Sequence, residues 1–294
     1  MKKSSESMKF RKHPVFTTLM LVFLIVYSLM LIIPLLWAVM NSFKDTFDYT
    51  NNVLGFPEFR YFTLENYGKA MTALSPQVGT KTVTFVRLIV NTLFYTFCYA
   101  TFPLAGSVFV AYGCARFRSS WGKILYWTTI VIMVVPSIGG LASSLVVSRL
   151  IGAYDNVFVA ALWNMKPAGT TFLVCYSVFK RIDMAYSEAA KIDGAGNWRI
   201  FLTIIMPLAK NIILAYFVTS LIGYWNDWQT AMIWFPSSPT LSYALFAARS
   251  GGNASAHPVY LFAGSVMIMI PMFILFIFIK DQLIGKISFG GLKG

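Results

Sequence analysis

The chain has 294 residues, of which 57% are hydrophobic, 17% aromatic and only 12% charged, a balance too apolar for an ordinary water-soluble domain. The formal net charge of +13 does not indicate nucleic acid, because the basic residues flank apolar runs and form no patch interleaved with aromatics. The composition predicts an all-α polytopic membrane protein, with lipid as its surroundings and no nucleic-acid partner.

In chain order, residues 1–13 carry Lys2, Lys3, Lys9, Arg11 and Lys12, and 15–40 then run without a charge. That run exceeds the roughly 7–15-residue core of a cleavable signal peptide, so it is expected to be a retained first span. Further charge-free runs at 88–115, 124–148 and 259–279 each reach the ~20 residues that cross a ~30 Å hydrocarbon core. Runs at 157–179 and 211–235 are similar, but each contains one ionisable residue, Lys166 and Asp227. Six spans in a single domain over 1–294 are expected, with no internal repeat and no linker.

Lys and Arg in short connections favour the cytoplasm. The two termini and the third and fifth connections together hold sixteen, including Arg116, Lys180, Arg181, Lys191 and Arg199, whereas the opposite side holds seven over more residues. Both termini and the connection after the fourth span are therefore expected to be cytoplasmic, in a cell membrane. The long connection at 41–85, which carries Asp45, Asp48, Glu58 and Glu65, is expected to lie outside.

The longest polar interruption in the second half is 183–207. Asp183 is predicted to cap a short helix over 184–192, accepting from its first free N–H groups. On it Ala185, Ala189 and Ile192 share one face, with Glu188 and Lys191 on another. Residues 193–197, Asp-Gly-Ala-Gly-Asn, form a sharp turn in which glycine supplies the positive φ. Asn197 is predicted to cap a second short helix that Pro207 ends.

Glu188, Ala189, Ala190, Gly194, Ile204 and Pro207 match, at its spacing, the signature loop of the membrane subunits of binding-protein-dependent ABC importers, with Met206 where Leu is usual. The chain thus resembles that permease family. Residues 41–44 (Asn-Ser-Phe-Lys), 62–67 (Phe-Thr-Leu-Glu-Asn-Tyr), Trp225-Asn226 and a glycine-rich end at 290–294 are similar to stretches of its carbohydrate-uptake branch, of the maltose type. The chain departs from the family at Asp183, where a proline is common, and at 150–156.

The resemblance implies a type I ABC importer permease fold, with 183–207 as a coupling helix that docks on a cytoplasmic ATP-binding subunit. It also implies a second permease subunit, two ATP-binding subunits and an external solute-binding protein that delivers a sugar or oligosaccharide. The chain has no GxxxxGK[ST] loop, so ATP and Mg would be held by the partner subunits and no cofactor by this chain.

Ionisable side chains inside a bilayer face a cavity, a partner chain or one another. Lys166 and Asp227 lie at similar depths in the fourth and fifth spans, so one reading pairs them structurally. The other places Asn226, Trp225, Asp227, Trp228, Asn164 and Lys166 along a polar passage, where indole faces pack on sugar C–H and amides replace water at hydroxyls. The same architecture would also serve a polyamine, phosphate or amino acid. An ion-coupled secondary transporter would need Asp227 as its coupling carboxylate, and would leave the Glu188 pattern unexplained. Cys98, Cys114 and Cys175 sit in apolar runs as packing residues, and His13 and His257 form no HExxH pattern, so neither catalysis nor a metal site is expected.

Overall fold

The structure is a computed structural model that describes residues 14–117, 120–135, 139–167, 169–251 and 256–284. The termini predicted to be cytoplasmic fall mostly outside that set. Two compact units divide the chain: Met1–Ala70 with His257–Val266, and Met71–Ala256 with Met267–Gly294.

In the first unit, α1 (Pro14–Ser42) is apolar all round, and its side chains from 15 to 36 are exposed. A helix with no polar stripe is one that lipid or another apolar surface covers. After it come α2 (Thr46–Asn51), a 3₁₀ turn (Phe59–Tyr61) and α3 (Glu65–Ala73). The two short stretches at 41–44 and 62–67 prove to be bonded to each other. Asn66 Nδ2 donates to the carbonyls of Ser42 at 2.8 Å and Lys44 at 2.7 Å, while the rings of Phe43 and Phe62 stack at 5.2 Å. Lys44 is buried beneath them and donates to Asn52 O. Burial pushes its ammonium below the ordinary lysine value, and the Asp48 carboxylate opposes the shift. This segment of the connection at 41–85 is therefore an ordered unit rather than a loose loop.

The second unit begins with a two-residue hairpin, β1 (Gln77–Val78) and β2 (Lys81–Thr82), turned at Gly79 with φ +62°. Its central element is α4 (Phe85–Arg116). Then come α5 (Ser120–Val134), α6 (Leu141–Leu150), α7 (Val157–Trp163) and α8 (Gly169–Arg181). The polar interruption holds α9 (Ala185–Ile192) and α10 (Asn197–Ile200), a π-helical turn (Phe201–Ile205) and the start of α11 (Met206–Asn226). The chain closes with α12 (Gln229–Trp234), α13 (Leu241–Arg249) and α14 (Pro258–Ile284), whose first turns belong to the first unit. Helices α7, α8 and α11 pack on α4. One core cluster joins Leu104 and Val108 of α4 to Phe172, Phe179, Ile200, Phe201 and Ile205. A second joins Tyr95 and Tyr99 to Ala160 and Phe235.

The fold is all-α as expected, but its helices are cut differently. Among the described residues four helical stretches are long and apolar enough to cross a membrane: Val15–Ser42, Phe85–Arg116, Asn197–Asn226 and Pro258–Lys280. Each of the predicted spans at 124–148 and 157–179 is instead a pair of shorter helices. In the first pair α5 ends at Val134 and α6 begins at Leu141, and Gly139 ahead of α6 takes φ +76°. In the second, Pro167 has no N–H to offer Trp163 O, and Lys166 before it is pushed out of helical geometry. Gly169 restarts the chain with φ +62°. The predicted span at 211–235 ends early, at Asn226, and α12 continues after a break at Asp227 and Trp228. Asp227 takes an extended conformation and its Oδ1 accepts from Thr230 N at 2.9 Å, so the side chain starts α12 instead of letting α11 run on.

Pro207 does not end a helix, contrary to expectation. It lies in the first turn of α11, after the π-helical turn. A proline ring clashes with the carbonyl four residues before it, and the wider π turn over Phe201–Ile205 makes room there. The helix therefore runs through from Asn197 to Asn226.

Candidate functional site

The first candidate is built on α9. Asp183 Oδ1 accepts from Ala185 N at 3.0 Å, so the carboxylate fixes the first turn, one residue later than the sequence suggests. Ser187 and Ala190 lie three residues apart on the buried side, and Ala190 joins the cluster of Phe172, Phe179 and Ile200. The opposite face exposes Ala185, Glu188, Ala189 and Ile192. Ile192 is 87% exposed, a large apolar side chain with little covering among the described residues.

The end of α9 is fixed by its backbone. Ala195 N donates to Ala190 O at 2.9 Å and Gly194 N to Lys191 O at 3.0 Å, with Gly194 at φ +80°. These two bonds with a left-handed residue between them constitute a Schellman motif, which satisfies the last carbonyls and reverses the chain. Asn197 is not the cap of the next helix. Gly196 holds that position and no side chain caps it.

Of the six residues that carry the loop pattern, then, Glu188, Ala189 and Gly194 are exposed around this turn, as is Pro207 further on. Ala190 faces inward and Ile204 packs against the same cluster, so these two seat the helix on its own bundle rather than present it to a partner. Sequence reading missed Arg116. Its guanidinium is buried at the end of α4, with Nη1 2.8 Å from Met184 Sδ and no partner for Nε or Nη2. It lies 68 residues before the helix it touches, so no local pattern marks it.

The second candidate is a cavity of about 610 Å³ in the second unit, within the range of small-molecule sites. Its wall includes Tyr99, Trp163, Asn164, Lys166, Thr230 and Trp234. The break between α7 and α8 carries Asn164 and Lys166 into it. That break lies against α4 at Gly106, where a Cβ would stand 2.7 Å from the carbonyl carbon and oxygen of Met165.

The structure brings only part of the predicted passage together. Trp225 is buried, and its Nε1 donates to Ile268 O at 3.1 Å, so it packs α11 on α14 and does not line the cavity. Trp228 is stacked on Phe246 at 3.7 Å, and exposed Asn226 bonds back to Ile222 O. Asp227 accepts from Tyr95 Oη at 2.9 Å and from Thr230 N, and forms no ion pair with Lys166 among the described residues. The pairing of Lys166 with Asp227 is therefore not present among the described residues.

The family described as "binding-protein-dependent transport system inner membrane component" matches residues 103–284. The diacetylchitobiose uptake system permease protein NgcG of Streptomyces coelicolor is 26% identical over 272 residues, covering 91% of this chain and 86% of that one. The galactooligosaccharides transport system permease protein GanQ of Bacillus subtilis is 26% identical over 300 residues, covering 98% and 99%. In fold, the chain is similar to one in the crystal structure of a bacterial ABC transporter involved in the import of the acidic polysaccharide alginate, with a TM-score of 0.71 at 21% identity over 96% of this chain and 99% of that one.

Proposed function

The chain belongs to the family of binding-protein-dependent transport system inner membrane components, and we propose that it is a permease subunit of an ATP-driven importer of a sugar or oligosaccharide. The observation that carries this reading is the exposed face of Ala185, Glu188, Ala189 and Ile192, held at a fixed angle by the Gly194 turn. Such a face, small residues flanked by one carboxylate and one bare aliphatic, suits close approach by a protein partner. We assign it to an ATP-binding subunit. The saccharide assignment draws on two relatives, NgcG, a permease of a diacetylchitobiose uptake system, and GanQ, a permease of a galactooligosaccharide transport system.

In this reading a second permease subunit pairs with the chain, two ATP-binding subunits bind the α9 faces from the cytoplasm, and a solute-binding protein delivers cargo from outside. Both termini are cytoplasmic. ATP binding draws the α9 helices together, and the permease pair rocks between inward-open and outward-open states whose populations ATP and the loaded binding protein bias. Because α9 is seated on the cluster that also holds α8, α10 and α4, its movement is transmitted to the wall of the cavity. In this reading the ATP-binding subunits hold ATP and Mg.

The direct test is uptake of labelled oligosaccharides by the native host with the chain deleted and then restored. Uptake of at least one saccharide is expected to vanish on deletion and return on complementation. Unchanged uptake of every saccharide in the panel would overturn the reading.

A further inference from the structure

We propose that the turn at 53–56 is a membrane anchor, and that Leu54 and Phe56 enter the lipid leaflet in which α1 ends. The inference goes beyond the importer reading and does not depend on the cargo.

In the first unit three large apolar side chains stand bare within six residues: Leu54 is 83% exposed, Phe56 84% and Phe59 100%. Such a patch on an ordered surface marks a contact with lipid or protein. The segment that carries it is firmly held. Gly55 N donates to Asn52 Oδ1 at 2.9 Å, Asn52 Nδ2 donates to Phe56 O at 3.0 Å, and the buried Lys44 donates to Asn52 O. Glu58 N closes the far side on Asp48 Oδ2 at 3.2 Å. Asn52 O, Gly55 N and Phe56 O thus have partners within the chain, as backbone entering lipid requires.

The depth of the turn tells what covers it. Trp37 Nε1 donates to Val53 O at 3.0 Å, and Trp37 lies five residues before the end of α1 at Ser42. At 1.5 Å per residue the turn hangs back along α1 by about 8 Å. The indole leans toward the N-terminus of α1, as helical side chains do, and so away from that end. The charge-free run of α1 is 15–40, of which a ~30 Å core takes ~20 residues. Set as near His13 as possible, the core covers 15–34 and leaves Trp37 about 5 Å beyond it, inside the headgroup layer. Set as near Asn41 as possible, it covers 21–40 and encloses Trp37.

In either register Val53 lies at the interface or below it. Leu54 and Phe56 beside it then meet the same lipid that surrounds α1, at the level where bilayers hold tryptophan. Glu58 and Arg60 flank Phe59, so the patch ends in charge and the entry is shallow. Trp37 also packs edge-on against Phe262 at 5.2 Å. The anchored turn and the start of α14 therefore share one support, and the anchor fixes the height at which both helices meet the membrane surface.

The test places a dansyl side chain at Leu54, at Phe56 or at Glu65, one position at a time, in the full chain carried with its accompanying subunits into bilayer nanodiscs. Glu65, exposed and ion-paired with Lys69, is the water reference. Emission is read with iodide in the water, and separately with lipid brominated in the upper part of its acyl chains. Dansyl at 54 and 56 is expected to emit to the blue of that at 65, to lose most of its emission to brominated lipid, and to be quenched several-fold less by iodide. Iodide quenching at 54 and 56 equal to that at 65 overturns the proposal. So does emission that is blue and protected from iodide yet indifferent to brominated lipid, which would assign the patch to a protein partner. Either failure leaves the importer reading standing, because uptake tests that reading separately.

Discussion

Gly194→Val is expected to leave the chain in the membrane but to cut uptake by about 5- to 150-fold. Gly194 sits at φ +80° at the end of α9, and a Cβ placed there meets nothing within 4 Å. Space is therefore not the issue, and the effect isolates backbone strain. A β-branched residue in the left-handed region costs roughly 1–3 kcal/mol, which is about 5- to 150-fold in the population of the turn. Loss of the turn releases the bonds from Gly194 N and Ala195 N, and α9 no longer holds its angle. Gly194→Asn, which tolerates the left-handed region, is expected to keep most of the coupling. Uptake per ATP hydrolysed in membrane vesicles is the measurement. Full coupling in the valine variant would mean that the turn does not set the docking geometry.

Gly106→Ala is expected to destabilise the second unit by about 1–3 kcal/mol, because the added methyl has no room. Its Cβ would stand 2.7 Å from Met165 C and O and 3.1 Å from Lys166 N, all backbone atoms that cannot swing aside. Either α4 moves or the break between α7 and α8 does, and both displace Lys166. Gly113→Ala in the same helix is the matched control, since a Cβ there meets nothing within 4 Å. It is expected to be neutral or to stabilise by roughly 0.5–1 kcal/mol, as alanine does in a helix interior. Thermal unfolding of the detergent-solubilised chain compares the two. Equal midpoints would contradict the close approach.

The loop at 183–207 was legible because its signals are local: a carboxylate before the helix, small residues on one face, and a glycine at the reversal. Even there the burial of Ala190 was not, since the apolar partner cluster is contributed by α4 and α8. The helix breaks were written in the sequence at Gly139, Pro167 and Gly169, but a hydropathy window adds residues together and is blind to where a helix stops. The π turn before Pro207 was hidden for another reason: a proline near a helix start reads as a terminator unless the wider turn ahead of it is known. Trp225 and Lys166 were both passage candidates, yet only Lys166 lines the cavity. On a helix apolar all round, nothing in the pattern tells which aromatic faces a cavity and which faces the neighbouring helix. Only the bond from Trp225 to Ile268 decides it, and that pairs residues 43 apart. Asn66 gives the opposite case, where two short stretches at 41–44 and 62–67 were separately recognisable and their union explains both.

The most direct test of the coupling assignment is to purify the tagged chain from its native host in mild detergent, as wild type and as Glu188→Arg, and to identify what accompanies each by mass spectrometry. Glu188 is exposed and makes no ion pair among the described residues, so reversing its charge alters the outward face of α9 without disturbing the core behind it. An ATP-binding subunit is expected with the wild type and is expected to be lost from the variant. An ATP-binding subunit retained equally by both, or a wild type that emerges with none, would contradict α9 as the coupling surface.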